Sequence, residues 1–336
     1  FPYYDKRGSY MKKTVVLLVV CTMVAALLAG CGGGGSSSTP AAKPTQMIMA
    51  TGGTAGTYYP FGGAIAQIFN SKAPNVNVTA QATGASVENI RLLEKKEAEL
   101  AIVQSDMMDY AYNGKETFKD QKLTKFSGLA ILYPEIIHII VRSDSGINSI
   151  ADMKGKKVSV GAPGSGNEAN VRQLLDIYGM DYKQLTPMYL SYAESADQFK
   201  DKHIDAFIMV TGAPNSALMD VSTQHSVKIL SIPDDMIAKI SQKYPFLSVA
   251  TIPANTYKGQ TEPVKTVAVQ ATLIVGNDVK EDVVYNITKA LFDNQADLAK
   301  AHAKGKELSL EKATKGMSIP LHPGAAKYYK EKGIIK

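Results

Sequence analysis

The sequence predicts an α/β fold built from two similar units with a ligand cleft between them. Three observations carry this expectation. From Thr45 onward, short β-rich runs alternate with helical patterns. The unit of strand, glycine turn and helix at 46–71 restarts at 157, after a β-rich interlude. Strands alternating with helices in this way build a parallel sheet covered on both faces. The length of 336 residues suits about two domains, and 45% apolar with 20% charged residues is ordinary for a globular chain.

Residues 46–51 (QMIMAT) read as a strand, followed by a glycine-rich turn and a helix over 61–71. A strictly alternating strand occupies 76–81, and Ser86 is expected to cap the next helix, with Glu88 and Asn89 in its first turn. A third strand, 100–104, ends at Ser105-Asp106, where another helix begins. Residues 126–141 are β-rich but broken at Tyr133-Pro134-Glu135. A helical turn at 149–153 and a Lys-Gly-Lys-Lys turn lead into the second unit. Its first strand, 157–161, precedes a glycine loop and a helix over 168–178, with Val171, Leu174, Leu175 and Tyr178 on one face. Further strands are expected near 188–190, 205–210, 227–232, 248–252 and 266–275, then one long helix over 281–303.

The N-terminal segment reads as an address. Met11-Lys12-Lys13 opens a basic region, an apolar run extends from Thr14 to Gly30, and Leu28-Ala29-Gly30-Cys31 matches a bacterial lipobox. Cys31 is the expected lipid attachment site. Residues 1–30 are then an upstream extension plus a lipoprotein signal peptide, and 31–44 the anchor and a Gly/Ser/Pro linker. The net charge of +6 falls to +3 beyond residue 30, where 33 cations face 30 anions. Nothing here argues for nucleic acid. The two cysteines, Cys21 and Cys31, both precede the body, so it holds no disulfide and no thiolate metal site.

The loops carry the chemistry. In Thr51-Gly52-Gly53-Thr54-Ala55-Gly56-Thr57-Tyr58, glycines expose backbone N–H groups and threonines add hydroxyls beside a helix start, a combination suited to a carboxylate. Backbone geometry alone is the competing explanation. Thr83-Gly84-Ala85-Ser86 and Gln104-Ser105-Asp106 also follow strands and open helices, so three polar strand ends converge on one sheet edge, with helix capping as the alternative. In the second unit, Gly164-Ser165-Gly166 lies in a loop spaced like a phosphate loop, but Asn167-Glu168 stands where Lys-Ser/Thr is needed. Thr211-Gly212 faces it from a neighbouring strand end. No cofactor or metal is expected. The histidines are scattered, and Pro163 replaces the first glycine of a nucleophile elbow around Ser165. An extracytoplasmic hydrolase using Ser165 stays as a rival reading.

Together these loops resemble the TAXI family of extracytoplasmic solute receptors of TRAP transporters. The motifs are TGGTAGTYYPFGGAIA, TGASVEN, AIVQSD, ADMKGKKVSVGAPGSGNE and the tail IPLHPGAAKYY, in that order from Thr51 to Tyr329. One departure is Ala85, where many relatives carry a second glycine. The resemblance implies a type II periplasmic-binding-protein-like fold, with two α/β lobes, a hinge and an interlobe cleft. Lobe one then comprises 45–141 and 250–336, lobe two 142–249, with crossovers near 139–142 and 248–252. It implies no enzyme but a receptor for a small carboxylate or amino acid, glutamate- or glutamine-like, acting as a monomer outside the cytoplasm. The closed receptor would deliver its solute to a membrane permease; a sensory module signalling through a membrane kinase is the alternative. The glycine loops are expected to hold a carboxylate, Tyr58 and Tyr133 to shape the apolar part, and Gln104, Asp106 and Glu135 to meet an ammonium or amide. Arg91, Arg142 and Arg172, the only arginines after residue 44, are assigned no ligand contact.

Overall fold

The alternation in VNVTAQ buries every second residue at the start of β2 (Val76–Gln81), because successive side chains of a strand point to opposite faces. The computed structural model describes residues 43–336, so the signal segment, Cys31 and nearly all of the linker lie outside the described residues. β2 pairs in parallel with β1 (Thr45–Ala50), which pairs with β3 (Leu100–Gln104). Between them run α1 (Tyr58–Lys72) and α2 (Ser86–Lys95), and α3 (Ser105–Asn113) follows β3 without a break.

Two long strands join this part to the rest. β4 (Phe126–Arg142) and β10 (Val264–Gly276) are antiparallel partners; β10 pairs with β3 at its far end, and β4 pairs with β7 (Ala206–Thr211) over Ile136–Val141. The sheet order is β2-β1-β3-β10-β4-β7-β5-β6, with β5 (Lys157–Ser159) and β6 (Thr186–Met188) completing the second half. β8 (Val227–Ile229) and β9 (Ser248–Ile252) add to β4 and β10. In the second half lie α4 (Gly166–Ile177), α5 (Tyr192–Lys200), α6 (Ser216–Gln224) and α7 (Asp234–Lys243). Helices α8 (Glu281–Asp293), α9 (Gln295–Ala301) and α10 (Pro323–Glu331) return to the first half, against α1.

Each half has an apolar core on both faces of its sheet. Met49, Phe61, Ile65, Phe69, Leu273 and Leu291 fill one face of the first half, and Val87, Ile90, Val103, Met107 and Ile274 the other. Ile137, Val158, Val171 and Leu174, then Ile140, Phe207, Met209 and Leu218, do the same in the second. Complete burial of β3 and β7 explains their uninterrupted apolar runs. The two α/β lobes of the expected fold class are present.

Several local expectations need correction. β4 is not broken at Tyr133-Pro134-Glu135: Pro134 is matched to Gln270 of β10, and the β7 pairing starts only at Ile136. The proline therefore sits where the strand has one neighbour, the position in which a missing N–H is tolerated. The 281–303 helix is two helices, because the Asn294 side chain bonds back to the Ala290 carbonyl at the end of α8. Ser86 is not a cap: Ala85 holds the N-cap position, and the Ser86 hydroxyl accepts the Gln104 N–H at 3.1 Å. The segment 248–252 is a strand on the margin of β10 and not a crossover; β4 and β10 themselves pass between the halves. The 139–142 stretch is the end of β4, where it already pairs with β7 and β8.

Candidate functional site

Two asparagines hold the strand ends from which the site is built. Asn89 of α2 is fully buried, and its Nδ2 donates to the Thr51 carbonyl at 2.6 Å and the Ile102 carbonyl at 2.8 Å. Its Oδ1 accepts the Thr83 hydroxyl. In the second half Asn167 of α4 repeats the device, with Nδ2 donating to Val160 and Ile208 carbonyls and Oδ1 accepting the Val210 N–H. Each amide ties two neighbouring strands at their carboxyl ends to the helix that follows, which is where open α/β sheets bind ligands.

Between these edges lies a cavity of about 90 Å³. Among the predicted residues, Gly52, Gly56, Thr57, Tyr58, Thr83, Gly84, Ala85, Ser86, Gln104, Glu135, Ser165, Gly166 and Thr211 line it. Seven others do not. Thr51 is buried with its hydroxyl on the Gln81 carbonyl, and Thr54 is exposed outside the wall. Ser105 and Asp106 are buried at the start of α3, behind Gln104. Tyr133 packs edge-on against Phe61, 5.4 Å away, and Gly212 lies beside Lys304. Gly164 turns its carbonyl across the cleft onto the Val87 and Glu88 N–H groups, so it caps α2 instead of offering an amide.

Sequence reasoning missed Gly53, Ala162, Asn167, Ser191, Tyr192 and Val210 as wall residues. Asn167 stood one residue past the quoted glycine loop. Tyr192 had no such signal, because its hydroxyl reaches the site from α5 by bonding to the Val210 carbonyl. Lys304 also went unnoticed. It is 6% exposed, donates to the Ala213 carbonyl and to Glu307, and sits 5.5 Å over the Tyr133 ring.

Among the described residues, no lysine or arginine lines the cavity. Arg142 pairs with Asp205 and bonds the Ile204 carbonyl, Arg172 pairs with Glu168, and Arg91 lies over Phe118. Thr57 caps α1 without a side-chain bond, because its hydroxyl instead meets that of Thr211, 3.0 Å away. Ser165 caps α4, accepting the Glu168 N–H and donating to the Ala162 carbonyl. That dual bonding is a cap's geometry, and no histidine is among its partners.

Glu135 supplies the carboxyl of the cavity. It is 3% exposed, and its Oε2 accepts the Tyr58 hydroxyl at 2.5 Å. Burial holds its pKa well above the usual carboxylate range, against the opposing pull of the Tyr58 bond and Lys304. Burial likewise raises Asp106 to about 6, although Asn170 and the Met107 N–H bond its carboxylate.

Comparison with solved structures places the fold among known ones. A protein from Bordetella bronchiseptica superposes with a TM-score of 0.53 at 16% identity, covering 87% of this chain and 89% of the other. The periplasmic aliphatic sulphonate binding protein SsuA of Escherichia coli gives 0.45 at 15% identity, covering 86% and 84%. The probable amino-acid ABC transporter extracellular-binding protein ytmK of Bacillus subtilis gives 0.45 at 15%, covering 79% and 100%. At 16% identity the first likeness shows a shared fold. A family model matches the sequence over residues 49–333, nearly the whole described body, and the chain belongs to the NMT1-like family.

Proposed function

We propose that this protein is an extracytoplasmic solute-binding receptor that captures a small carboxylate or amino acid in the interlobe cavity and hands it to a membrane transporter. The observation that carries the reading is the cavity itself. It lies between the two halves at the carboxyl ends of their strands, walled by glycine amides, hydroxyls and helix starts from both. Such walls bind an anionic group through N–H donors and the helix dipole without a cationic side chain. On this reading the start of α1, which has no side-chain cap, and that of α4 hold the carboxylate. α2 contributes less, because Gly164 occupies its first-turn amides.

The boundaries expected at 141/142 and 249/250 move into β4 and β10, because Ile137, Val141, Val264 and Val267 already belong to the second core; on this reading the lobes close about β4 and β10 when ligand contacts in both favour the closed state. The resemblance stated above supports a TRAP permease as partner, a glutamate- or glutamine-like ligand and a lipid anchor at Cys31. The protein acts as a monomeric binder and not as an enzyme.

Thermal-shift screening of amino acids, dicarboxylates and sugar acids against the purified protein tests this. A solute at ~100 times its Kd adds about 2.7 kcal/mol of stability. No shift across the whole panel would overturn the reading.

A further inference from the structure

A buried chain of amides crosses the cleft behind the cavity. Asp106 of α3 is fully buried, and its Oδ2 accepts from Asn170 Nδ2 of α4 at 2.7 Å. An ionised carboxylate has acceptors only, so Asn170 must turn its NH2 toward it. The same NH2 also reaches Gln173 Oε1 at 3.0 Å. Asn170 Oδ1 is thereby left to face Gln104, whose Nε2 donates to it at 2.8 Å. The Gln104 amide is now fixed as well: its nitrogen is engaged and its oxygen is turned away from Asn170. That oxygen, Oε1, is buried and has no hydrogen-bond partner among the described residues.

Gln104 Oε1 lies against Gly166, where a Cβ would fall 1.5 Å from it, and both residues border the cavity. A second acceptor stands in the same wall, since Glu135 receives only the Tyr58 hydroxyl among the described residues. Gln104 Oε1 needs a donor from whatever occupies the cavity, because an unpaired buried acceptor is costly.

We infer that Asp106 and Asn170 are positioning residues which orient Gln104 to accept from an amine, so the site takes an amino acid and rejects the corresponding oxo acid. The inference rests on the receptor reading above and narrows its ligand class. An ammonium offers an N–H donor to Gln104 Oε1, whereas an oxo group offers none and leaves that acceptor unpaired. The discrimination follows from a fixed amide orientation: a glutamine free to turn over would present its NH2 and accept either ligand.

Titration calorimetry on the purified protein, with L-glutamate against 2-oxoglutarate and L-alanine against pyruvate, reads this directly. The amino member of the bound pair is expected to be favoured by about 100-fold, the loss typical of leaving a buried polar group unpaired. An oxo acid bound within threefold of its amino partner overturns the inference and leaves the receptor reading standing. Absence of binding by these and by the wider solute panel overturns the receptor reading, and this inference with it. Asp106→Asn replaces an acceptor-only group by one that can also donate, so Asn170 and Gln104 can turn over. It is expected to lower the amino-to-oxo ratio at least tenfold, and an unchanged ratio refutes the relay. Gln104→Met, which removes Oε1 at similar size, gives the same readout without touching α3.

Discussion

Replacing Asp106 by asparagine isolates the cost of one buried charge. The carboxyl is fully buried, and its folded value is about 6 against an ordinary 3.8. A carboxyl raised on folding contributes its full stability below the unfolded value and loses it as pH climbs through the folded one. The gap from 3.8 to about 6, at about 1.4 kcal/mol per unit, amounts to about 3 kcal/mol. About 0.5 kcal/mol of this is already lost at pH 4, so the difference in unfolding free energy between the natural protein and Asp106→Asn should move by about 2.5 kcal/mol between pH 4 and pH 7.5, with the natural protein losing ground as pH rises. Other titrating groups are common to both proteins and largely cancel. Urea unfolding followed by far-UV circular dichroism at four pH values across this range measures the difference. A difference constant to within about 0.5 kcal/mol, or one running the other way, would refute both the burial argument and its sign.

Three further substitutions probe the walls. Ala85 adopts φ 76° and ψ −147°, a conformation nearly confined to glycine, so Ala85→Gly should stabilise the protein by about 1 kcal/mol: roughly 1–3 regained from strain against about 0.5–1 of glycine entropy. A lower denaturation midpoint would contradict this. Gly166→Ala drives a Cβ into Gln104 Oε1 and should abolish measurable solute binding in calorimetry; retained affinity would mean that the lobes do not meet there. Asn89→Ala strands the Thr51 and Ile102 carbonyls and should cost about 2–4 kcal/mol in denaturant unfolding, whereas a loss under 1 kcal/mol would show that water replaces the amide.

Strands and their loops were legible because they depend on local chemistry. VNVTAQ and LAIVQ mark β2 and β3 to the residue, since alternation and continuous apolarity each report how many faces are buried. The sequence also brought Thr57, Ser86, Gln104 and Thr211 to one cavity, because all lie at or just past strand ends that face it. What stayed hidden depends on pairing. Pro134 reads as a break until the one-sided pairing of β4 is seen, and Gly164 reads as an amide donor until its carbonyl is found on α2. Asp106 and Glu135 carry no mark of burial in their own neighbourhoods. Lys304 lies in a lysine-rich stretch of surface character, yet the Ala213 carbonyl, Glu307 and the Tyr133 ring enclose it.

The paired asparagines explain why closure, and not remodelling of a wall, is the movement this fold allows. Asn89 fixes β1 and β3 to α2, and Asn167 fixes β5 and β7 to α4, so each wall is tied at its strand ends by a buried amide with both ends engaged. Breaking either amide leaves carbonyls unpaired in a dry interior, so neither wall yields cheaply. The bonds that join the walls are of another kind. Thr57 with Thr211, Asn215 with the Ala55 carbonyl, the Gly164 carbonyl with the Val87 and Glu88 N–H groups, and Asn170 with both Asp106 and Gln104 join polar groups that water can satisfy once the halves part. Opening therefore exchanges those bonds for hydration at little net cost, while each lobe moves as a block. The compliant element left is the middle of β4 and β10, and β4 has one neighbour at Pro134. Glu135 follows it directly, which sets the cavity's carboxyl on the hinge, where contact with a ligand acts on the closing motion itself.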